Sequence, residues 1–309
     1  MKIFITGGSG FVGRHLTREL SARHHQVTIL TRRPESGRGL PFGVDYCIGD
    51  PNLPGPWQES LSRHELVINL AGASIFSRWT DSKKAEIRDS RIRTTRHLVD
   101  GIEMATAANH KIALLSTSAV GYYGNRGDAK VEENDPAGVD FLAQVASAWE
   151  REALRAENFG ARVVLCRFGI VLGPDGGALS KMLPLFRWGL GSHVASGRQW
   201  FPWIHQSELS RIFTFLVEQT NLSGVFNCVT PEPVTNAEFS RQLAAALQRW
   251  TLPLGVPELF LKLTLGEMAS VLLGGQRVSP TRLLAAGYKF SFPNLKEALA
   301  DLLRDQSFR

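Results

Sequence analysis

The chain has 309 residues, 43% hydrophobic and 21% charged, with a formal net charge of +6. That length and apolar content predict one large globular domain with a smaller lobe, and exclude a disordered chain. The positive balance suits an anionic ligand, but with no lysine- or arginine-rich block it does not argue for nucleic acid, and no run of about 18 apolar residues offers a membrane span.

In chain order, Lys2-Ile3-Phe4-Ile5-Thr6 is a short apolar run of the kind that forms a buried parallel strand. It leads directly into Gly7-Gly8-Ser9-Gly10-Phe11-Val12-Gly13, after which apolar residues recur at helical spacing to Leu20. Val27-Thr28-Ile29-Leu30 is a second buried strand. Strand, glycine turn, helix and strand make one mononucleotide-binding βαβ half. Gly7 permits the tight turn, Gly10 lets backbone N–H groups approach a pyrophosphate, and Gly13 lets helix and strand pack closely. A pyrophosphate there would meet the unpaired N–H groups and dipole of a helix start. Ser9, Phe11 and Val12 complete the turn and count with the three glycines as cofactor-binding candidates. An NAD enzyme places Asp or Glu at the end of the second strand to hold the ribose 2′-OH. This chain has Thr31-Arg32-Arg33, with no carboxylate until Glu35. A hydroxyl and a guanidinium can bind a 2′-phosphate through charge-assisted hydrogen bonds of about 1.5–3 kcal/mol each, so NADP is expected as the cofactor. A solvated basic turn is the plainer alternative.

Strand and helix patterns keep alternating. Further strands are expected at Val44–Ile48, Leu66–Leu70, Ile112–Ser116 and Ala161–Cys166, with helices at Asp81–Ala107 and Phe141–Asn158. After Gly173 the pattern changes: Gly and Pro cluster, Trp200-Phe201-Pro202-Trp203 is densely aromatic, and helices are expected at Asn236–Trp250 and Pro257–Leu273. Val225-Phe226-Asn227 reads as a return strand. The fold class is therefore α/β: a Rossmann-type doubly wound parallel sheet with a smaller carboxyl-terminal α/β lobe. Residues 1–172 form the dinucleotide domain, with a return segment near 200–230, and residues 173–309 form mainly the lobe. Cys47, Cys166 and Cys228 are far apart, without metal-ligand spacing, and read as buried thiols of a cytoplasmic protein that holds no metal. The chain opens on a strand and shows no leader pattern.

The two-residue gap in Gly7-x-x-Gly10 resembles the short-chain dehydrogenase/reductase superfamily, particularly its extended branch, which modifies sugar nucleotides. Asn69-Leu70-Ala71-Gly72 resembles that family's N-x-A-G turn beside the cofactor, which makes Leu70 and Ala71 contact candidates. Ser116-Thr117-Ser118-Ala119-Val120-Gly121-Tyr122-Tyr123-Gly124 resembles the segment whose third serine binds the reacting oxygen, and Ser118 matches it. A hydroxyl there can donate to a developing oxyanion, or merely cap a turn.

The superfamily's acid is a tyrosine followed four residues later by a lysine. Here the four tyrosines Tyr46, Tyr122, Tyr123 and Tyr288 are followed at that offset by Asp50, Arg126, Gly127 and Phe292. Leu142 and Ala146 stand where the pair would be. Tyr122 and Tyr123, beside Ser118, are then the nearest candidate proton donors. This departure, with Trp149-Glu150, Arg167-x-Gly169-x-Val171-Leu172-Gly173 and Gly197-x-Gln199-x-Phe201-x-Trp203-Ile204-His205, is similar to an atypical extended group of nucleoside-diphosphate-sugar epimerase type. Gly274-Gly275-Gln276-Arg277 and Ala286-Gly287-Tyr288-x-Phe290 resemble its tail domain.

The resemblance implies cofactor contacts at Glu86, Arg91 and Val171, although the first two also read as solvated helix charges and the third as core. It offers Arg198, His205 and Arg277 for a diphosphate or sugar, and a homodimer through helices of the Rossmann domain. Two functions stay open. One is an NADP-dependent oxidoreductase or epimerase acting on a sugar nucleotide or another carbonyl compound. The other is an NADP(H)-binding sensor without catalysis.

Overall fold

A computed structural model describes residues 1–33 and 39–304. The amino-terminal half runs β1 (Lys2–Thr6), α1 (Phe11–Ala22), β2 (Gln26–Thr31), β3 (Asp45–Ile48), β4 (Leu66–Asn69), α2 (Asp81–Ala107) and β5 (Ala113–Ala119). It continues with the two-residue β6 (Lys130–Val131), α3 (Phe141–Leu154) and β7 (Val163–Phe168). Next come β8 (Ile170–Gly173), α4 (Gly177–Arg187), β9 (Trp200–Phe201), β10 (Trp203–His205), α5 (Gln206–Glu218) and β11 (Gly224–Cys228). The chain ends with β12 (Val234–Thr235), α6 (Asn236–Ala246), α7 (Glu258–Leu265), α8 (Ala269–Leu273), β13 (Arg277–Val278), α9 (Thr281–Ala285) and α10 (Leu295–Leu303).

Seven strands form one parallel sheet in the order β11-β7-β5-β4-β1-β2-β3. Because side chains alternate along a strand, β1 feeds two cores at once. Ile3 and Ile5 pack with Leu16 and Leu20 of α1 and with Leu209, Ile212 and Phe213 of α5. Phe4 points the other way, into Trp57, Leu61, Leu98 and Ile102. The lobe has a third core, in which Leu179, Leu183 and Phe186 of α4 meet Phe239 and Leu243 of α6 and Leu295, Leu299 and Leu302 of α10. No helix among the described residues is long and apolar enough to cross a membrane.

Several boundaries differ from the sequence reading. The helix expected to Asn158 stops at Leu154 and tightens into a 3₁₀ turn over Arg155–Phe159. The stretch from Pro257 to Leu273 breaks at Gly266, which adopts φ +61°. The helix expected to Trp250 ends at Ala246. The sequence reading gives no helix at α4, α5, α9 or α10. Pro184 inside α4 and the glycines on either side of it hide that helix, whereas α5 carries a plain stripe at Leu209, Ile212, Phe213, Leu216 and Val217.

Candidate functional site

The strand order reverses between β1 and β4, and in open α/β sheets ligands bind outside the carboxyl ends of the strands at that point. Gly7 leaves β1 with φ +71°, and a Cβ on it would lie 2.8 Å from the Leu70 carbonyl carbon. A Cβ on Gly13 would lie 2.2 Å from the Gly7 oxygen, so α1 sits against the turn with no room for a side chain. Gly10 caps α1 without a side-chain acceptor, and the first turn holds no acidic residue, which leaves helix N–H groups to an outside anion. Leu30 pairs with Thr6, so Thr31 stands one residue beyond, level with Gly7. The Thr31 hydroxyl donates to the Arg33 carbonyl at 2.9 Å and accepts from its N–H at 3.1 Å, while Arg32 is exposed. Glu35 lies outside the described residues.

Asn69 fixes this crevice. It is fully buried, accepts from Thr6 Oγ1 at 2.8 Å, and donates to Thr95 Oγ1 at 2.8 Å and Ser116 Oγ at 3.3 Å. One amide thus ties β1, β4, β5 and α2 together just before Leu70 and Ala71.

Beyond the turn opens a cavity of about 1150 Å³. Phe11, Val12, Leu70, Ala71, Arg91, Ser118 and Val171 line it, so seven of the candidate residues converge on one space. Leu142 and Ala146 line it too, along with Trp149 and the apolar Ile75, Phe76, Trp79, Val145 and Leu272. Arg91 donates to the Ile87 carbonyl at 2.9 Å and lies 5.4 Å from the centre of the Trp149 ring. Burial lowers its pKa to about 10, so an anion placed beside it would gain a poorly solvated charge partner.

Under Ser118 lies a buried polar network. The Ser118 hydroxyl donates to Glu150 Oε1 at 2.5 Å. Arg167 grips the same carboxylate with two prongs, Nε to Oε1 at 2.8 Å and Nη2 to Oε2 at 2.7 Å. Burial opposes the Arg167 charge, but the Glu150 carboxylate outweighs it and holds the guanidinium pKa above its ordinary value. Arg167 Nη1 donates to the Tyr123 hydroxyl at 2.8 Å, and that hydroxyl donates to Asn227 Oδ1 at 2.7 Å. Glu150 and Arg167 were not among the sequence candidates. The signal existed: Leu142, Ala146 and Glu150 step by four along one face of α3.

The structure places several other candidates away from this cavity. Tyr123 is buried in that network, away from the cavity lining, and burial raises its pKa to about 12, so it is poorly placed to donate a proton there. Tyr122 is also off the lining, with the Arg167 guanidinium 3.5 Å from its ring centre. Glu86 is exposed and pairs with Lys83 at 3.0 Å instead of facing the cavity. Arg198 belongs to a separate hollow of about 410 Å³ with Asp128, Ser196 and Thr235. Arg277 is exposed and lies over the ring of Trp200, 4.9 Å from its centre, and Trp200 is one of the residues lining the cavity. His205 is buried: its Nδ1 accepts the Ser207 N–H at 3.0 Å to cap α5, and its ring stacks on Phe292 at 4.0 Å. Its Nε2 lies 3.3 Å from Asp301 Oδ2, without hydrogen-bond geometry.

Comparison with known proteins agrees with this architecture. Residues 3–228 match the NAD dependent epimerase/dehydratase family, and residues 256–302 match a domain of unknown function, DUF1731. The Arabidopsis thaliana epimerase family protein SDR39U1 homolog, chloroplastic, is 38% identical over 310 residues, covering 98% of this chain and 87% of that protein. The crystal structure of human epimerase family protein SDR39U1 with NADPH superposes with a TM-score of 0.86 at 34% identity, covering 99% of this chain and 100% of that one. The Thermus thermophilus UDP-glucose 4-epimerase, in complex with NAD, shares the fold at a TM-score of 0.76 and 19% identity, covering 98% of both chains. The match over nearly three quarters of the chain, the tail domain and a relative 38% identical and covered over 87% of its length show that this protein belongs to the NAD dependent epimerase/dehydratase family.

Proposed function

We propose that the protein is an NADP(H)-dependent oxidoreductase of the epimerase type, whose reaction takes place in the cavity beyond the glycine turn. One observation carries this reading: a turn that tolerates only glycine at Gly7 and Gly13 leads into an uncapped helix start, whose Phe11 and Val12 line that cavity. The donor set fits a phosphorylated dinucleotide. The helix N–H groups of Phe11, Val12 and Gly13 would take the pyrophosphate, since the Gly10 N–H is given to the Gly7 carbonyl. Arg32 would take the 2′-phosphate, beside Thr31, whose hydrogen goes to the Arg33 carbonyl. Val171 would face the nicotinamide end. When bound, the dinucleotide supplies hydride exchange; the chain's own residues supply position and shelter from water. The human relative's structure with NADPH supports the choice.

Proton handling is where this site departs from its superfamily. Leu142 and Ala146 face the cavity where a tyrosine and a lysine would be expected, and neither holds a proton. Slow turnover follows, because a positioned acid typically contributes about 10²–10⁴-fold. The same observation favours a second reading, an NADP(H)-binding sensor without catalysis; substrate-dependent NADPH oxidation separates the two. A sugar nucleotide would need an anchor for its diphosphate other than Arg198 and Arg277, since neither lines the cavity.

A fluorescence titration tests the cofactor. NADPH is expected to bind more tightly than NADH, and Arg32→Asp to weaken NADPH far more than NADH. Equal wild-type affinities for both would overturn the assignment.

A further inference from the structure

We propose that the cavity selects a hydroxyl over a carbonyl at Ser118, because Ser118 offers it only an acceptor. The inference rests on the reading of the cavity as the substrate site, and concerns which chemical group that site prefers. A serine hydroxyl has one hydrogen and two lone pairs. At Ser118 the hydrogen is committed: it points at Glu150 Oε1, 2.5 Å away. The direction of that bond is fixed by the neighbours. Glu150 also receives two N–H groups from Arg167, a side chain that can only donate, so the carboxylate has no hydrogen to give and Ser118 must be the donor. All three side chains are buried, so solvent does not compete for these bonds.

Ser118 lines the cavity, and with its hydrogen committed to Glu150 the bonding capacity left on its hydroxyl is lone pairs alone. A carbonyl oxygen arriving there meets lone pairs with its own lone pairs and gains no hydrogen bond. An alcohol arriving in the same place donates its hydrogen to Ser118 Oγ. The oxyanion-donor role expected of Ser118 from sequence is thereby inverted, and Glu150 becomes the positioning residue that inverts it. Ile75, Phe76, Trp79, Leu142 and Val145 form an apolar stretch of the wall against which a carbon skeleton can pack, while Arg91, Lys262, Asp140, Glu258 and Glu267 line the same cavity.

Calorimetry with trans-2-decalol and 2-decalone, which share a carbon skeleton, tests this on the protein free of dinucleotide. Wild type is expected to bind the alcohol about fivefold more tightly than the ketone, the effect of one neutral hydrogen bond. Ser118→Ala should still bind both, with equal affinities. Glu150→Ala removes the acceptor, frees the serine hydrogen and should bring the ketone level with or ahead of the alcohol; should that variant fail to fold, the wild-type ratio and Ser118→Ala carry the test. Ketone bound as tightly as alcohol by wild type, a preference that survives Ser118→Ala, or no binding of either probe would overturn the inference. The NADPH titration is independent of all three results, so failure here is distinguishable from failure of the nucleotide reading.

Discussion

A side chain's chemistry is set by what its polar atoms already touch, and His205 shows this as plainly as Ser118. In sequence it is a histidine beside aromatics; in the fold it is the cap of α5, stacked on Phe292. Burial, opposed by the Asp301 charge, lowers its pKa to about 4 from an ordinary 6.5. The unfolded chain therefore takes up a proton at higher pH than the folded one. The sign follows: the folded state keeps its full advantage above about pH 6.5 and loses it as pH falls towards 4, by up to about 3 kcal/mol. His205→Asn keeps a capping oxygen but cannot be protonated. Thermal melts of both proteins from pH 7 to pH 4 should show a steeper fall for wild type; parallel curves would mean that His205 does not titrate on unfolding.

At the scale of the element, α3 explains both what the site lacks and what it has. Its residues at 142, 146 and 150 share one face. The first two line the cavity as Leu142 and Ala146, and the third reaches Ser118 from beneath. On the proposed reading, the helix is in place but carries leucine and alanine where the reaction would call for a tyrosine and a lysine. Restoring the pair with Leu142→Tyr and Ala146→Lys should raise NADPH oxidation with a small ketone at least tenfold over wild type, within the range a positioned acid supplies. A folded, NADPH-binding double variant as slow as wild type would show that a missing proton donor is not what limits the reaction. The extent of α3 was nearly legible in sequence, because its apolar spacing and Asp140 cap are local features; the cap accepts the Ala143 N–H at 2.9 Å. The break in the α7–α8 region was not, since Gly266 does not betray a left-handed conformation until its neighbours impose one.

Across the whole molecule, Glu208 joins the Rossmann layers to the carboxyl-terminal segment. It is fully buried on α5 and accepts from the Tyr288 hydroxyl at 2.5 Å and from the Ser291 and Phe292 N–H groups, each at 2.7 Å. Burial and the adjoining carboxylate both push the Tyr288 pKa up, so its hydroxyl keeps the proton it donates. Glu208→Ala strands three donors at roughly 1–3 kcal/mol each. Its melting temperature should fall, and limited proteolysis should open the segment between Ala285 and Asn294 before the rest of the chain. Cleavage at the wild-type rate in that segment would show that other contacts hold it.

The sequence by itself determined the parallel sheet, the glycine turn and the departure from the superfamily's acid. Each of these is written in local order: apolar runs of five, glycines three apart, a tyrosine with no lysine one turn on. It also placed Phe11, Val12, Leu70, Ala71, Arg91, Ser118 and Val171, which the structure brings to one cavity. Only the tertiary structure decided what those groups can do. Ser118, Glu150 and Arg167 come from β5, α3 and β7, separated by 32 and 17 residues, and no spacing rule brings them together. Their roles depend on which partner takes which hydrogen. That is a property of side chains meeting in a buried space, and it exists only once strands and helix have packed.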